Sequence, residues 1–480
     1  MRTHFIYSIF ILAIFVSACN DILEESPRAV DLDGFYNTVE DVQTGVNSIY
    51  TPLRSNMAVY HATLECHSDF MYGRGSWEPI SQYQGLNDAN INRVAELWDA
   101  FYLSIRNANL IIFHAPQGDA ISVEDANSYV AEARFLRAFN YFNLVRNWGA
   151  LPLRTEGNME ERDLPKSSVD DVYQLIEADL LMSEEVLPEV QTQVGRPTRW
   201  SAKALLADVY LELERYEEAA DRAYQAMQSN RYGLVPIVSK EDFQNNLYGP
   251  EINTSTEEVF ALKYARQIGQ GNYILWISNH PSTNNFNFGG AYAVHGNAEN
   301  PNYQEWEEGD IRKQLWDTVD FGLGPNTLVS SKFIDRQAIE QGGGGNDNPI
   351  YRYADVLLLF AEASTRATGT VSAEAMEALN QVHRRAYGYN PAVANAAVDY
   401  SLTDYNANTF TDLVIRERGY EFQYEGKRWL ELKRTDKVNE LIQRGKGLSV
   451  AAKHLLWPIP ISEMNYNKAL DPSTDQNPGY

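Results

Sequence analysis

The segment 201–229 constrains the architecture of this chain more than any other stretch. Leu206, Ala207 and Tyr210 recur at helical spacing, and Ala219 and Ala226 follow on a second helical run. The two runs read as antiparallel helices whose small alanines permit close approach, with Tyr210 filling the groove between them. A pair this short cannot bury its apolar face alone. It requires further pairs stacked on either side.

The spacing is that of a tetratricopeptide hairpin, with Lys203 where that motif prefers tryptophan and Arg231 where it prefers proline. Residues 128–148 place Ala138 and Tyr141 in the same relation, with a return helix at 168–186. Helical spacing also runs over 38–55, 90–115, 124–148, 200–230, 351–387 and 410–432. Within 351–387, Tyr353, Val356, Leu357, Phe360 and Ala361 share one face, and Ser372 caps a second helix with Ala375, Met376 and Leu379 inward. The fold class is therefore mostly α, tetratricopeptide-like hairpins forming an α-solenoid, with a little β. Irregular inserts interrupt it at 61–89, 149–166, 232–349 and 433–480, and Gly342–Gly345 reads as a mobile loop. The insert 232–349 is too long to lack structure of its own, and 257–264 reads as a strand.

The N-terminus addresses the chain for export. Arg2 precedes an apolar run from Phe5 to Val16, too short to span a bilayer, and small residues then lead to Cys19. Residues 1–18 read as a lipoprotein signal peptide and Cys19 as the acylated residue. An acidic tether, 19–34, ends ahead of a single domain, 35–480. With Cys19 acylated only Cys66 remains, so no intrachain disulfide framework and no cysteine-rich metal site is available. The net charge of −25 makes nucleic acid a poor partner and leaves the lipid anchor as the only membrane attachment.

Catalytic and metal signatures are missing. There is no His-Glu-x-x-His helix, nucleophile elbow or phosphate loop. Asp31–Gly34 lacks most positions of a calcium loop, and His61 and His67 around Glu65 and Cys66 fit no common metal spacing. No catalytic residue, metal ligand or cofactor is assigned. With 65 acidic residues, nothing singles out a carboxylate pair for glycoside hydrolysis.

Four segments carry a family resemblance. They are Glu132 to Gly149 with Leu151-Pro152-Leu153; Tyr351 to Ala363; Glu417 to Arg434; and Leu456 to Glu463, with the ending Gln476 to Tyr480. With the lipobox-like Cys19 they resemble, in order, the SusD/RagB family of outer-membrane nutrient-binding lipoproteins of Bacteroidetes-type bacteria. The resemblance implies a cell-surface protein that is not an enzyme. It implies delivery of a glycan or oligosaccharide to a TonB-dependent outer-membrane transporter (SusC-like), and the rigid, extended surface of the helical hairpins is expected to hold that partner. A peptide-binding member of the family is the alternative, and a lipid-anchored glycosidase a more distant one.

Charged residues in these segments read as structural. Arg134 and Arg137, with Glu132, are expected to pair with neighbouring helices. Glu417, Arg418, Glu421, Glu425, Lys427 and Arg428 are expected to form a partly buried ion-pair network above Trp429. Trp457-Pro458-Ile459-Pro460 must be extended. Trp98, Trp148, Trp200 and Trp429 are read as packing residues. Sugars present flat CH faces and hydroxyls, so a site needs aromatic platforms beside polar groups. The insert 69–90 offers Tyr72, Trp77 and Tyr83, with Asp69, Arg74 and Asn87, and of these Trp77 and Tyr83 are taken as candidates. The long insert offers Trp276, Tyr292 and Trp306. These five aromatics are the candidate ligand-binding residues.

Overall fold

Most of the long helices begin where a side chain can accept a backbone N–H that the helix itself leaves unbonded. Thr38, Asn87, Ser122, Ser168, Thr198 and Ser372 do so for α1 (Val39–Cys66), α2 (Asp88–His114), α3 (Val123–Trp148), α4 (Val169–Val186), α5 (Arg199–Glu212) and α8 (Ala373–Ala386). Such caps contribute about 1 kcal/mol each. Between α5 and α8 come α6 (Tyr216–Gln228) and α7 (Tyr353–Thr368). The computed structural model describes residues 35–285, 290, 293–340 and 342–480. Cys19, the tether 19–34, Asp31–Gly34 and Tyr292 lie outside the described residues.

The helices stack in chain order, each against the next from α1 to α8. Leu206, Ala207, Ala219 and Ala226 are fully buried between neighbours, and the Tyr210 hydroxyl meets Glu177 of α4 at 3.0 Å. The stack passes over the long insert as though it were absent: α6 packs on α7, with Tyr224 and Phe360 ring centroids 5.5 Å apart. Two short strands make this possible. β4 (Glu258–Leu262) pairs antiparallel with β8 (Asn348–Arg352), tying the insert at its base, and β8 runs directly into α7. The strand expected at 257–264 is β4.

The remaining strands are shorter still. β1 (Tyr72–Gly73), from the first insert, heads a sheet of order β1-β5-β7-β6, with β5 Val294–Asn297, β6 Trp316–Thr318 and β7 Thr327–Ser330. β2 (Leu151–Pro152) and β3 (Lys166–Ser167) close the insert 149–166. A second core forms under the inserts, separate from the one along the helices, around Met71, Val294, Trp306, Leu328 and Tyr424.

Three expectations need correcting. α1 continues to Cys66, so the first insert begins after residue 66 rather than at 61. The glycine run 342–345 is pinned: the Gly345 amide donates to Asp335 at 2.8 Å and the Asn272 amide to the Gly344 carbonyl at 2.8 Å. Gly271 opposite could carry no side chain, since a Cβ there would lie 2.0 Å from the Gly342 carbonyl oxygen. The run serves close backbone approach rather than mobility. Trp200 is half-buried rather than core.

The charges of these segments are largely interior. α9 (Ala407–Glu421) and α10 (Arg428–Arg434) flank the network. Glu421 accepts from Arg352 at 2.8 Å, Arg385 at 2.5 Å and Arg312 at 3.0 Å, while Glu425 holds Arg352 at 2.7 Å and Lys332 at 2.5 Å. The network is buried except at Lys427, which is half-buried. Burial alone would raise these carboxyls, but the surrounding guanidiniums outweigh it and hold Glu425 at about 2. Arg134 and Arg137 both reach Asp179 of α4 at 2.7 Å, and Glu132 pairs with Arg196 at 2.6 Å.

The C-terminal segment is laid over the stack, as its prolines require. The Trp457 amide donates to the Asn147 carbonyl at 2.7 Å, and the Trp148 indole N–H to the Pro458 carbonyl at 3.0 Å. It is not wholly irregular, because α11 (Val438–Lys446) lies within it.

Candidate functional site

The two inserts meet at β1 and β5, and that seam gathers aromatic rings at the surface. Register places Tyr72 opposite His295, and their rings stack with centroids 5.9 Å apart and planes 21° from parallel. His295 meets Phe321 edge-on at 6.2 Å, and Phe321 stacks on His280 at 4.9 Å and 10°. The Arg74 guanidinium lies 6.0 Å from the Phe321 ring centre, and its amide is fixed to the Ala293 carbonyl at 2.8 Å. All four rings are half-buried. They form a continuous row drawn from both inserts.

Electrostatics keep the row's imidazoles uncharged. Burial lowers the pKa of His280, and the Arg74 charge lowers it further; His295 is lowered by burial, with Arg74 and Lys446 adding to it. In neutral His295, Nδ1 donates to the Gly296 carbonyl at 2.9 Å, which leaves Nε2 as an acceptor suited to a hydroxyl.

A cleft of about 280 Å³ opens beside the seam, with Ala293 in its lining. Trp77 and Trp276 both line it, with Tyr273, Arg93 and Glu96. The Arg93 guanidinium covers one face of the Trp77 indole at 4.0 Å, and Arg93 Nη2 donates to Ser76 Oγ at 3.3 Å. Tyr273 and Trp276 sit on or beside the short helix Ile274–Ser278, ring centroids 6.4 Å apart.

The candidate aromatics therefore divide. Trp276, half-buried, and Trp77 line one cleft, but Trp77 is as buried as Tyr83, packed into the second core with Arg93 over its ring. Tyr83 is 8% exposed, its hydroxyl donating to the His67 carbonyl and its ring against Trp429 at 6.0 Å. It adopts φ of 52°, a left-handed conformation held by these contacts. Trp306 is 2% exposed, with its indole N–H on Asp310 at 2.8 Å and Tyr420 stacked on it at 4.4 Å. Both are corrected to packing residues, because their polar atoms and faces are spent inside. Asp69 is likewise committed, to Arg428 at 2.8 Å. Tyr273, His280, His295 and Phe321 were missed. Their only sequence signal is a ring in Gly- and Asn-rich loop, shared with many residues that pack inward.

His61, His67, Glu65 and Cys66 are interior and not a metal site; among the described residues no group of His, Cys, Asp and Glu could hold an ion. Burial lowers both histidines to about 3 and raises Glu65 to about 8. Among the described residues no helix is long and apolar enough to cross a membrane.

Comparison with known proteins agrees along the chain. Residues 288–480 match the family model described as the SusD family, and residues 21–211 match one described as starch-binding associating with outer membrane. A SusD-like protein of Formosa agariphila is 24% identical over 99% of this chain and 98% of its own length. A SusD homolog from Bacteroides thetaiotaomicron has a TM-score of 0.79 at 22% identity, over 94% of this chain and 98% of that one. Surface glycan-binding protein A from Bacteroides fluxus has a TM-score of 0.76 at 22% identity, over 92% of this chain and all (100%) of that one. With one family match at each end and the same fold between them, the chain belongs to the SusD family.

Proposed function

We propose that the protein binds a glycan at the cell surface, on the ring row Tyr72–His295–Phe321–His280 and the adjoining Trp77–Trp276 cleft, and hands it to a TonB-dependent outer-membrane transporter. The observation that carries the reading is the row itself. Four half-buried rings in contact, contributed by two inserts, offer successive faces to successive sugar units. Neutral imidazoles and the Tyr273 and Trp276 edges supply partners for hydroxyls. Similarity of fold to a surface glycan-binding protein supports the ligand class, and family membership supports the transporter. Glycan-array screening followed by calorimetry tests it. Phe321→Ala and Trp276→Ala should each weaken the best glycan by roughly 1–3 kcal/mol without lowering Tm. Unchanged affinity in both variants would refute the site.

The anchor belongs to the same reading. Cys19 carries the acyl chains that hold the domain at the outer membrane, consistent with the family description and with the apolar run before it. Cys19→Ser should abolish labelled-palmitate incorporation and release the protein from membranes. Continued labelling would overturn the assignment.

A further inference from the structure

We propose that the groove between α9 and α11 is a second ligand site, and that it takes a sugar unit carrying an anionic group. Thr409, Arg416 and Tyr420 fall on one face of α9, Leu441 and Arg444 come from α11, and Tyr405 closes one end. They enclose about 270 Å³ and share no residue with the ring row or the Trp77–Trp276 cleft.

The charges of the groove are almost all spent internally. Lys437 pairs with Asp412 at 2.9 Å and Glu440 at 3.4 Å, and Arg444 pairs with Glu305. Arg428 is held by Asp69 at 2.8 Å and Glu431 at 3.0 Å. Arg416 is the exception. Its sequence neighbour Glu417 is taken by Arg312 at 2.7 Å and His383 at 3.2 Å, and the guanidinium's hydrogen bond is to the Tyr400 hydroxyl at 3.3 Å. No carboxylate among the described residues pairs with it. Arg416 is exposed to solvent, and its guanidinium is the one cation of this groove without an ion pair among the described residues, which leaves its charge available to a ligand.

Two phenols complete the donor set. The Tyr405 and Tyr420 hydroxyls line the same groove and make no hydrogen bond among the described residues. Tyr420 is backed by Trp306, stacked 9° from parallel, so its ring is rigidly placed. One planar guanidinium able to bind an oxyanion in two-pronged fashion, two O–H donors and tyrosine faces fit a sugar ring bearing a carboxylate or a sulfate. That the ligand is a sugar rests on the glycan reading above; its charge rests on the groove.

Calorimetry at low ionic strength with trigalacturonate, a κ-carrageenan tetrasaccharide and neutral maltotriose tests the proposal. The expected result is saturable binding of an anionic probe, weakened by added salt, with Arg416→Gln reducing affinity about tenfold and Tyr405→Phe a few-fold. Trigalacturonate binding identifies a carboxylate, carrageenan binding a sulfate. Binding of neither anion, equal binding of maltotriose in a manner sensitive to Arg416→Gln, or anion affinity unaffected by Arg416→Gln overturns it. Failure of the glycan reading is read separately, from Phe321→Ala at the ring row.

Discussion

Tyr72 and His295 stand opposite each other in the β1–β5 register, their rings stacked 5.9 Å apart. That one pairing joins two inserts and sets every other ring of the row. Arg74, next but one after Tyr72, is thereby held over Phe321, and Trp77 turns back into the cleft.

The turn that follows β1 is the first place to test this. A Cβ on Gly73 would meet the Trp77 carbonyl oxygen at 2.3 Å, which is backbone and cannot yield. Gly73→Ala should therefore displace Tyr72 and Trp77 together. Glycan affinity is expected to fall at least tenfold by calorimetry, with a Tm loss of only a few degrees because the helix stack is untouched.

Buried and cleft aromatics should respond in opposite ways. Trp306→Ala empties a packed site and removes the indole on which Tyr420 rests, so it should cost about 3–5 kcal/mol in denaturant unfolding. Tyr83→Ala should likewise cost stability. Trp276→Ala, in the half-buried cleft wall, should leave the unfolding midpoint nearly unchanged while weakening glycan.

The interior network gives a third expectation. Glu421 accepts from Arg312, Arg352 and Arg385 at once, so Glu421→Gln takes one carboxylate from each of three buried guanidiniums and leaves Asp310, Glu417, Glu257 and Glu425 to hold them. A loss of about 3–5 kcal/mol follows, measurable as a large drop in Tm. No change would mean that the remaining carboxylates, Glu257 and Glu425 among them, suffice to neutralise these arginines.

Glu65 supplies a pH-dependent test. Burial raises its carboxyl from 4.5 to about 8 in the folded protein, against the pull of the Gly426 amide at 3.1 Å. A raised folded pKa means that its contribution is fully present below pH 4.5 and is lost as pH rises toward 8. Glu65→Gln keeps the acceptor and removes the cost. It should stabilise the fold by as much as about 3 kcal/mol at pH 7, the gain vanishing near pH 4. Unfolding curves at the two pH values check the sign.

The sequence by itself determined the helices, their order and the structural character of most charges. Ser372 caps α8 as its spacing implies, and Ala219 and Ala226 are buried where a hairpin needs small residues. These are local matters, settled by periodicity, capping and side-chain volume within a few turns. The same holds for Trp457–Pro460, whose prolines exclude helix and central strand whatever lies beneath.

Only the tertiary structure decided which rings face solvent. Trp276 stands between Leu275 and Ile277 and Trp306 between Glu305 and Glu307 in the same long insert, yet the first lines a cleft and the second lies buried under Tyr420. The difference comes from β1 pairing with β5 and from β4 closing on β8, contacts between residues far apart in the chain. An irregular segment has no repeat to say which way a side chain points. Its orientation is set by whatever distant surface it packs against, and that surface exists only once the helices have stacked.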